Sequence, residues 1–134
     1  MAKPAKILAA LAACLAAASP AAWAQPAQTT AETVNISLSD YAFAPAALNL
    51  KAGTAYHLHF INAGSKDHDF TAPEFFAAAQ VAPADQAKIK RGTVEVDKGQ
   101  EMDVTIAPGA GDYKVICTHF MHNMMGMHGT ITVQ

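Results

Sequence analysis

Apolar and polar residues alternate along several short stretches of the chain, and each stretch predicts a β-strand. Val34, Ile36 and Leu38 alternate with polar neighbours, the period of two expected of a half-buried strand. Comparable short apolar patterns occupy residues 48–51, 55–62, 93–96, 102–106, 113–117 and 129–133. About seven short strands with turn residues between them predict an all-β sandwich or barrel.

Four segments between these strands have other patterns. Residues 40–45 predict a turn that carries aromatic side chains, and residues 62–69 predict a polar loop. Residues 73–80 form the one good helical stretch, with Pro73 in the first turn and Glu74 beside it. Residues 81–91 show no clear period. The prediction is therefore a sandwich with one short helical insert.

The N-terminal residues have the order of parts of a secretory signal peptide. Lys3 and Lys6 precede an apolar run, and Ala22-Trp23-Ala24 supplies a small-x-small cleavage site. We predict a signal peptide over 1–24, a flexible lead-in over 25–32 and one domain over 33–134, with export to the periplasm. The alternative is a lipoprotein signal, in which Cys14 is lipidated and kept. The apolar run is shorter than the ~20 residues of a membrane span.

Charge and cysteine content narrow the function classes. Removal of 1–24 takes away two lysines and no acidic residue, so the formal charge changes from −2 to −4. A mildly acidic chain without a basic run is a poor match for nucleic acid, which needs clustered Lys and Arg. Without Cys14, Cys117 is the single thiol, and an unpaired Cys in an exported protein suggests an intermolecular bond, a reactive thiol or a metal ligand.

One segment near the C-terminus concentrates metal-ligand side chains. Residues 117–128 hold Cys117, three of the six histidines and four of the six methionines. Thiolate and thioether are soft ligands and imidazole is borderline, and two His, one Cys and a distant Met form the ligand set of blue copper sites. Zinc gains little from Met, and magnesium and calcium require oxygen ligands. Copper is the metal that uses every residue type in the segment.

The spacing within this segment predicts the ligands. Cys117 ends one strand, and a loop that contains His122 and Met127 must turn back to begin the next strand, so it can fold around one ion. The remaining histidine must come from elsewhere in the fold. We predict His68, which follows the 55–62 strand and can lie at the same end of the sandwich. The predicted ligands are His68, Cys117, His122 and, as a weak axial ligand, Met127, with Met124 and Met125 as alternatives for the axial position.

The motif Cys117-x4-His122-x4-Met127, with Gly126 before Met127, resembles the C-terminal copper loop of cupredoxins. Asn62-x5-His68-Asp69-Phe70 resembles the N-terminal ligand motif of the same family, and residues 41–53 resemble its early strands in small bacterial members. The likeness covers roughly residues 33–134. It implies a Greek-key β-sandwich with one type 1 copper ion that cycles between Cu(I) and Cu(II). The loop departs from the family pattern by placing His119 close to Cys117.

The resemblance also implies roles for neighbouring residues. One implied role is that a backbone N–H beside His68 donates a hydrogen bond to the Cys117 sulfur. Residues that would surround the ligands are Asp69, Phe70 and Phe120, and the two phenylalanines would form an apolar wall. His122 is the implied point of electron exit. The implied function is one-electron transfer between exported proteins that dock weakly and transiently. The protein is predicted to be a monomer, with no membrane span and no enzymatic activity.

Surplus ligands favour an alternative function. Several side chains exceed the needs of a four-ligand site and are candidates for additional metal binding: His119, Met121, Met124, Met125 and His128. They favour a copper-tolerance protein that sequesters or carries Cu(I). His57 and His59, two residues apart on one strand face, are candidates for a further weak metal site or are simply exposed. A Cys117 nucleophile with a His base would have no use for the methionines.

Overall fold

Residues 30–134 are described by the computed structural model, which arranges them in two five-stranded β-sheets packed face to face. The predicted signal peptide over 1–24, the candidate lipid site Cys14 and most of the lead-in over 25–32 lie outside the described residues. The predicted β-sandwich with a short helix is confirmed. None of the helices in the described part is long and apolar enough to cross a membrane.

Ten strands and two short helices make up the described part. The strands are β1 (Glu32–Ser39), β2 (Ala42–Ala44), β3 (Ala47–Leu50), β4 (Tyr56–Asn62), β5 (His68–Thr71), β6 (Gln80–Val81), β7 (Thr93–Val96), β8 (Glu101–Ala107), β9 (Gly111–Ile116) and β10 (His128–Val133). Helix α1 spans Pro73–Ala78, and a 3-10 helix spans Pro83–Lys88.

The first sheet has the strand order β2-β1-β4-β8-β6, and the second has the order β3-β10-β9-β5-β7. Two neighbouring pairs are parallel, β1 with β4 and β3 with β10. The other pairs are antiparallel. Parallel neighbours need a crossover connection between them. The chain between β1 and β4 includes β3 of the second sheet, so this connection passes from one sheet to the other and back.

The core lies between the inner faces of the two sheets. On β4, Tyr56, Leu58 and Phe60 are buried while the intervening side chains are partly exposed, as the alternation predicted. Phe70 packs against Phe60 with ring centroids 5.0 Å apart. Burial of each such side chain contributes about 1.5–3 kcal/mol relative to exposure. This core holds the strand ends on which the candidate ligands lie.

Two strands occur where the sequence predicted turns or loops. β2 is three residues long with one buried side chain, and it becomes a strand by pairing with β1. All four residues of β5 are buried, so it shows no alternation, and its polar His68 and Asp69 suggested a loop. Pairing along its whole length with β7 makes it a strand. In both cases the neighbouring strand, rather than local pattern, decides the structure.

Candidate metal centre

Three side chains predicted as metal ligands converge at one end of the sandwich. The Nδ1 atom of His122 lies 3.5 Å from the Cys117 sulfur, and that of His68 lies 4.0 Å from it. The two Nδ1 atoms are 3.1 Å apart. His68 and Cys117 are fully buried, and His122 is 7% exposed. The described residues therefore bring two imidazoles and a thiol to one buried point.

Strand pairing explains how residues so distant in sequence meet. β5 and β9 are paired through Thr71 and Ile116, and Cys117 is the next residue of the chain. His68 begins β5 and so lies at the same end of the second sheet. The amide of Cys117 donates to the carbonyl of Met127 at 3.1 Å, which closes the loop on itself. The loop is then held at both ends.

Asp40 sets which nitrogen of His68 carries a proton. Its Oδ1 atom lies 3.0 Å from His68 Nε2. Hydrogen bonds from Ser65 and His68 lower the pKa of Asp40 to about 2, so the carboxylate is ionised and can only accept. Nε2 is therefore the donor, and the Nδ1 atom of a neutral His68 presents its lone pair toward Cys117. Outer carboxylates that orient a ligating imidazole in this way are common at metal sites.

The loop before His68 has little space around Asp40. The amide and hydroxyl of Ser65 both donate to the Asp40 carboxylate. A Cβ atom on Gly64 would lie 2.6 Å from Asp40 Oδ1 and 2.7 Å from His68 Nε2. Asn62 accepts from the Gly64 amide at 2.9 Å and donates to the carbonyl of Val96 at 2.8 Å. Glycine at 64 is what allows Asp40 to reach the imidazole.

Asp69 links the two halves of the centre. Its carboxylate is buried, and both oxygens accept from the amide of Thr118 at 3.0 Å. The hydroxyls of Thr118 and Thr71 also donate to it, at 2.6 and 2.7 Å. Burial raises the pKa of the Cys117 thiol, while backbone hydrogen bonds from Asp69 and His119 act in the opposite direction. The side chain of Asp69 therefore accepts hydrogen bonds from Thr118, and its backbone N–H donates to the Cys117 sulfur.

His122 is held between aromatic rings at the edge of the centre. The ring of Tyr41 meets it edge-on with centroids 5.1 Å apart, and the ring of His68 lies 4.8 Å away. Burial, followed by the nearby His68, lowers the pKa of His122. A lower pKa favours the neutral imidazole, which is the form that ligates a metal.

The four methionines of the loop fall into two groups. Met127 is fully buried beside the ligand cluster, and its amide donates to the carbonyl of His122 at 3.0 Å. Met124 is 82% exposed, Met125 54% and Met121 47%. Gly126 has φ +107°, a backbone conformation that favours glycine, and it turns the chain inward to Met127. Burial therefore favours Met127 over Met124 and Met125 as the axial ligand.

Phe120 and His119 are not members of the His68–Cys117–His122 cluster, although the His119 ring lies 5.5 Å from the His122 ring. Phe120 is 89% exposed, so its predicted role as an apolar wall is wrong. Phe70 is buried, in contact with Phe43 and Phe60. The Nε2 atom of His119 lies 2.7 Å from Glu95 and 3.9 Å from Asp69, which directs this imidazole toward β7.

The remaining candidates lie on the surface. His128 begins β10 and is exposed. His57 and His59 lie on the outer face of β4, opposite the buried Tyr56, Leu58 and Phe60. Neither surface position belongs to the His68–Cys117–His122 cluster. Additional metal binding at His119, Met121, Met124, Met125 and His128 stays a prediction.

The donor set fits a copper ion on chemistry and on spacing. A metal with ligand bonds of about 2.0–2.3 Å in a trigonal plane separates its donor atoms by roughly 3.6 Å. The observed separations of 3.1, 3.5 and 4.0 Å lie on either side of that value. The thiol and two imidazoles are buried together and Met127 is the buried thioether of the loop. Small movements of side chains would suffice to admit one ion.

Sequence reasoning missed three residues that shape the centre, Asp40, Tyr41 and Gly64. The first two were assigned to a turn with aromatic side chains, and Gly64 to a polar loop. The sequence did contain a signal for Asp40 and Tyr41, because an acidic residue beside an aromatic residue in a turn can contact a functional site as well as stabilise the turn. The contacts themselves depend on β1 and β4 lying side by side, so that both of their following loops reach His68.

Comparison with protein families matches residues 7–133 to the cupredoxin-like domain. Auracyanin-B from Chloroflexus aurantiacus is 31% identical over 126 residues, which cover 79% of this chain and 54% of auracyanin-B. The chain thus spans about half the length of that relative.

Solved structures show the same architecture. Auracyanin B superposes with a TM-score of 0.58 at 28% identity, covering 78% of this chain and 89% of that one. Reduced auracyanin from Roseiflexus castenholzii gives 0.59 at 19% identity, with 78% and 98% covered. A multicopper oxidase from Campylobacter jejuni gives 0.60 at 15% identity, with 81% and 31% covered. The likenesses at 19% and 15% identity show the fold alone.

Proposed function

Because the chain belongs to the cupredoxin-like family, we propose that it is an exported type 1 copper protein that transfers single electrons between redox partners. The proposed ligands are His68, Cys117 and His122, with Met127 as the axial ligand. The observation that carries the proposal is the convergence of two imidazole nitrogens on one buried thiol. When bound, copper supplies a one-electron couple between Cu(I) and Cu(II).

The surrounding residues supply a preformed site. Asp40 holds the His68 tautomer, Tyr41 packs against His122, and Asp69 supports the start of the loop. A site whose ligands are fixed by the fold changes little between oxidation states, and that lowers the barrier to electron transfer. Metal binding must displace the proton of Cys117, whose pKa is raised by burial, so binding releases a proton.

His122 is the proposed point of electron exit. It is the ligand with residual exposure at 7%, whereas His68, Cys117 and Met127 have none. Exposed apolar side chains lie in the same loop, with Phe120 and Met124 more than four-fifths exposed. A small apolar surface beside a redox centre suits weak and transient docking. We propose a monomer in the periplasm as the working form, and a carrier rather than an enzyme.

A visible spectrum of the purified protein with one equivalent of Cu(II) tests the proposal. We expect a strong thiolate-to-copper band near ~600 nm, the signature of a His2Cys set. Cys117→Ser should abolish this band. The matched control is Met124→Leu, an exposed position in the same loop, which should leave it unchanged. Absence of the band from the folded, copper-loaded protein would overturn the type 1 assignment.

A second function is favoured by the exposed methionines. Met121, Met124 and Met125 are 47%, 82% and 54% exposed, so a large part of each side chain contributes nothing to the core. Thioethers select Cu(I), so the loop could accept or carry this ion, as expected of a copper-handling protein. Stoichiometry distinguishes the two functions. One copper per chain that cycles reversibly supports electron transfer, whereas several Cu(I) ions with slow reoxidation support copper handling.

A further inference from the structure

Two histidines and two carboxylates meet on the outer face of the first sheet. On β4, Tyr56, Leu58 and Phe60 point into the core, so His57 and His59 point outward. Strand β8 runs antiparallel beside β4, and its Asp103 lies directly opposite His59. Glu101 is two residues along β8 and projects from the same face. The group is separate in the fold from the His68–Cys117–His122 cluster.

Both imidazoles are directed at one carboxylate oxygen. Asp103 Oδ1 lies 2.6 Å from His59 Nδ1 and 3.1 Å from His57 Nε2. The other nitrogen of His59, Nε2, lies 3.3 Å from Glu101, and His57 Nδ1 lies 3.2 Å from the Thr105 hydroxyl. Hydrogen bonding to His59 is the largest cause of the lowered pKa of Asp103. The carboxylate is therefore ionised at neutral pH and available to a cation.

The His57 and His59 side chains are held by neighbouring residues and are also partly exposed to solvent. His59 is 23% exposed and His57 is 38% exposed, so each ring is partly held by its neighbours yet reachable from solvent. The nearest lysine, Lys88, donates to the backbone carbonyl of Asp103 and pairs with Asp85 at 2.7 Å. The positive charge of Lys88 is therefore paired with the Asp85 carboxylate. Among the ion pairs of the described residues, no Lys or Arg side chain pairs with the Asp103 carboxylate.

We propose that His57, His59 and Asp103 form a second metal site, with Glu101 at its edge, for a borderline divalent cation of the Zn²⁺ or Cu²⁺ class. Two imidazoles and a carboxylate are a usual ligand set for such ions. Both rings are directed at the present position of Asp103 Oδ1. Rotation of the half-exposed Asp103 side chain by about 2 Å, the length of a metal–oxygen bond, would open that position to the cation and keep the carboxylate as a ligand. The Thr105 and Glu101 contacts orient the rings as outer partners do at known sites.

The site differs in character from the buried centre. It contains no sulfur, lies on a sheet surface and has ligands on two adjacent strands, so a bound ion would cross-link β4 and β8. A cation that binds the folded state alone raises its stability in proportion to the logarithm of its concentration. The competing explanation is a metal-free hydrogen-bonded network across the strands. The experiment distinguishes the two.

Zinc binding to the copper-loaded protein provides the test. Equilibrium dialysis against Zn²⁺ near neutral pH should find one zinc per chain, with the visible copper spectrum unchanged. His57→Gln and His59→Gln should each weaken zinc binding by at least about tenfold, the loss typical even of outer-shell changes. The matched control is Glu74→Gln, an exposed carboxylate on α1, which should bind zinc as the wild type does.

Two further measurements keep the test decisive. Asp103→Asn preserves side-chain shape and should also weaken zinc binding, which covers the case in which a histidine variant fails to fold. Zinc should shift the ring resonances of His57 and His59 in NMR spectra. Absence of zinc binding, equal binding in all variants, or loss of the copper band as zinc enters the buried centre would each overturn the proposal. Failure of copper loading would concern the primary centre and leave the histidine variants informative.

Discussion

Replacement of Asp69 by Asn should raise the reduction potential of the copper centre. The Asp69 carboxylate is buried and accepts hydrogen bonds from Thr71 and Thr118, while the backbone N–H of Asp69 donates to the Cys117 sulfur. A buried negative charge next to the ligands stabilises Cu(II) over Cu(I). Asn preserves the shape and the acceptor for the Thr118 amide, and its NH₂ group can donate to a threonine hydroxyl. The substitution therefore removes charge with little change of structure.

The magnitude follows from Coulomb's law. For an assumed separation of roughly 7 Å between the Asp69 carboxylate and an ion bound at Cys117, and an effective dielectric constant of about 20, the interaction is about 2 kcal/mol. For a one-electron couple, in which about 59 mV corresponds to a tenfold change, this equals about 100 mV. Asp69 is 1% exposed, so solvent screens it little. We expect a rise of about 50–100 mV by this estimate.

A redox titration followed through the visible band measures the shift. The matched control is Asp112→Asn, an exposed carboxylate at the far end of β9, whose charge is screened by solvent. Its potential should stay within about 10–20 mV of the wild type, because exposed charges beyond a Debye length are largely screened. An unchanged or lower potential in Asp69→Asn, with the spectrum retained, would refute the electrostatic role of Asp69.

Three other substitutions test the site and the fold. Gly64→Ala should lower copper affinity about tenfold, measured by chelator competition, because the new Cβ would displace the partner that orients His68; wild-type affinity would contradict this. Met127→Leu should raise the reduction potential, since loss of a donor destabilises Cu(II), whereas exposed Met124→Leu should not; equal effects would refute the axial assignment. Hydrogen bonding to Lys88 lowers the pKa of Asp85, so the carboxylate stabilises the fold above its ordinary pKa and this contribution disappears as pH falls through the folded value. Asp85→Asn should therefore lower the free energy of unfolding at neutral pH, as measured by urea denaturation, and the difference from the wild type should vanish at low pH. A difference that does not depend on pH would contradict this role of Asp85.

The positions of the strands in the core could be predicted because burial imposes a period of two. Val34, Ile36 and Leu38 alternate for that reason, and Ile36 and Leu38 are fully buried. Strand β5 could not be predicted, since all four of its residues are buried and two of them are polar. Its polar side chains are tolerated because the centre itself supplies their partners.

The sequence by itself determined the chemistry of the candidate centre. Soft and borderline ligands concentrated between Cys117 and His128 indicate copper whatever the exact fold, because ligand type selects the metal. The tertiary structure alone decided which side chains surround it. Burial separated Met127 from the exposed Met124, and Phe120 proved to be on the surface. Asp40 reaches His68 because loops from neighbouring strands meet there, and such contacts between distant residues leave no local pattern in a sequence.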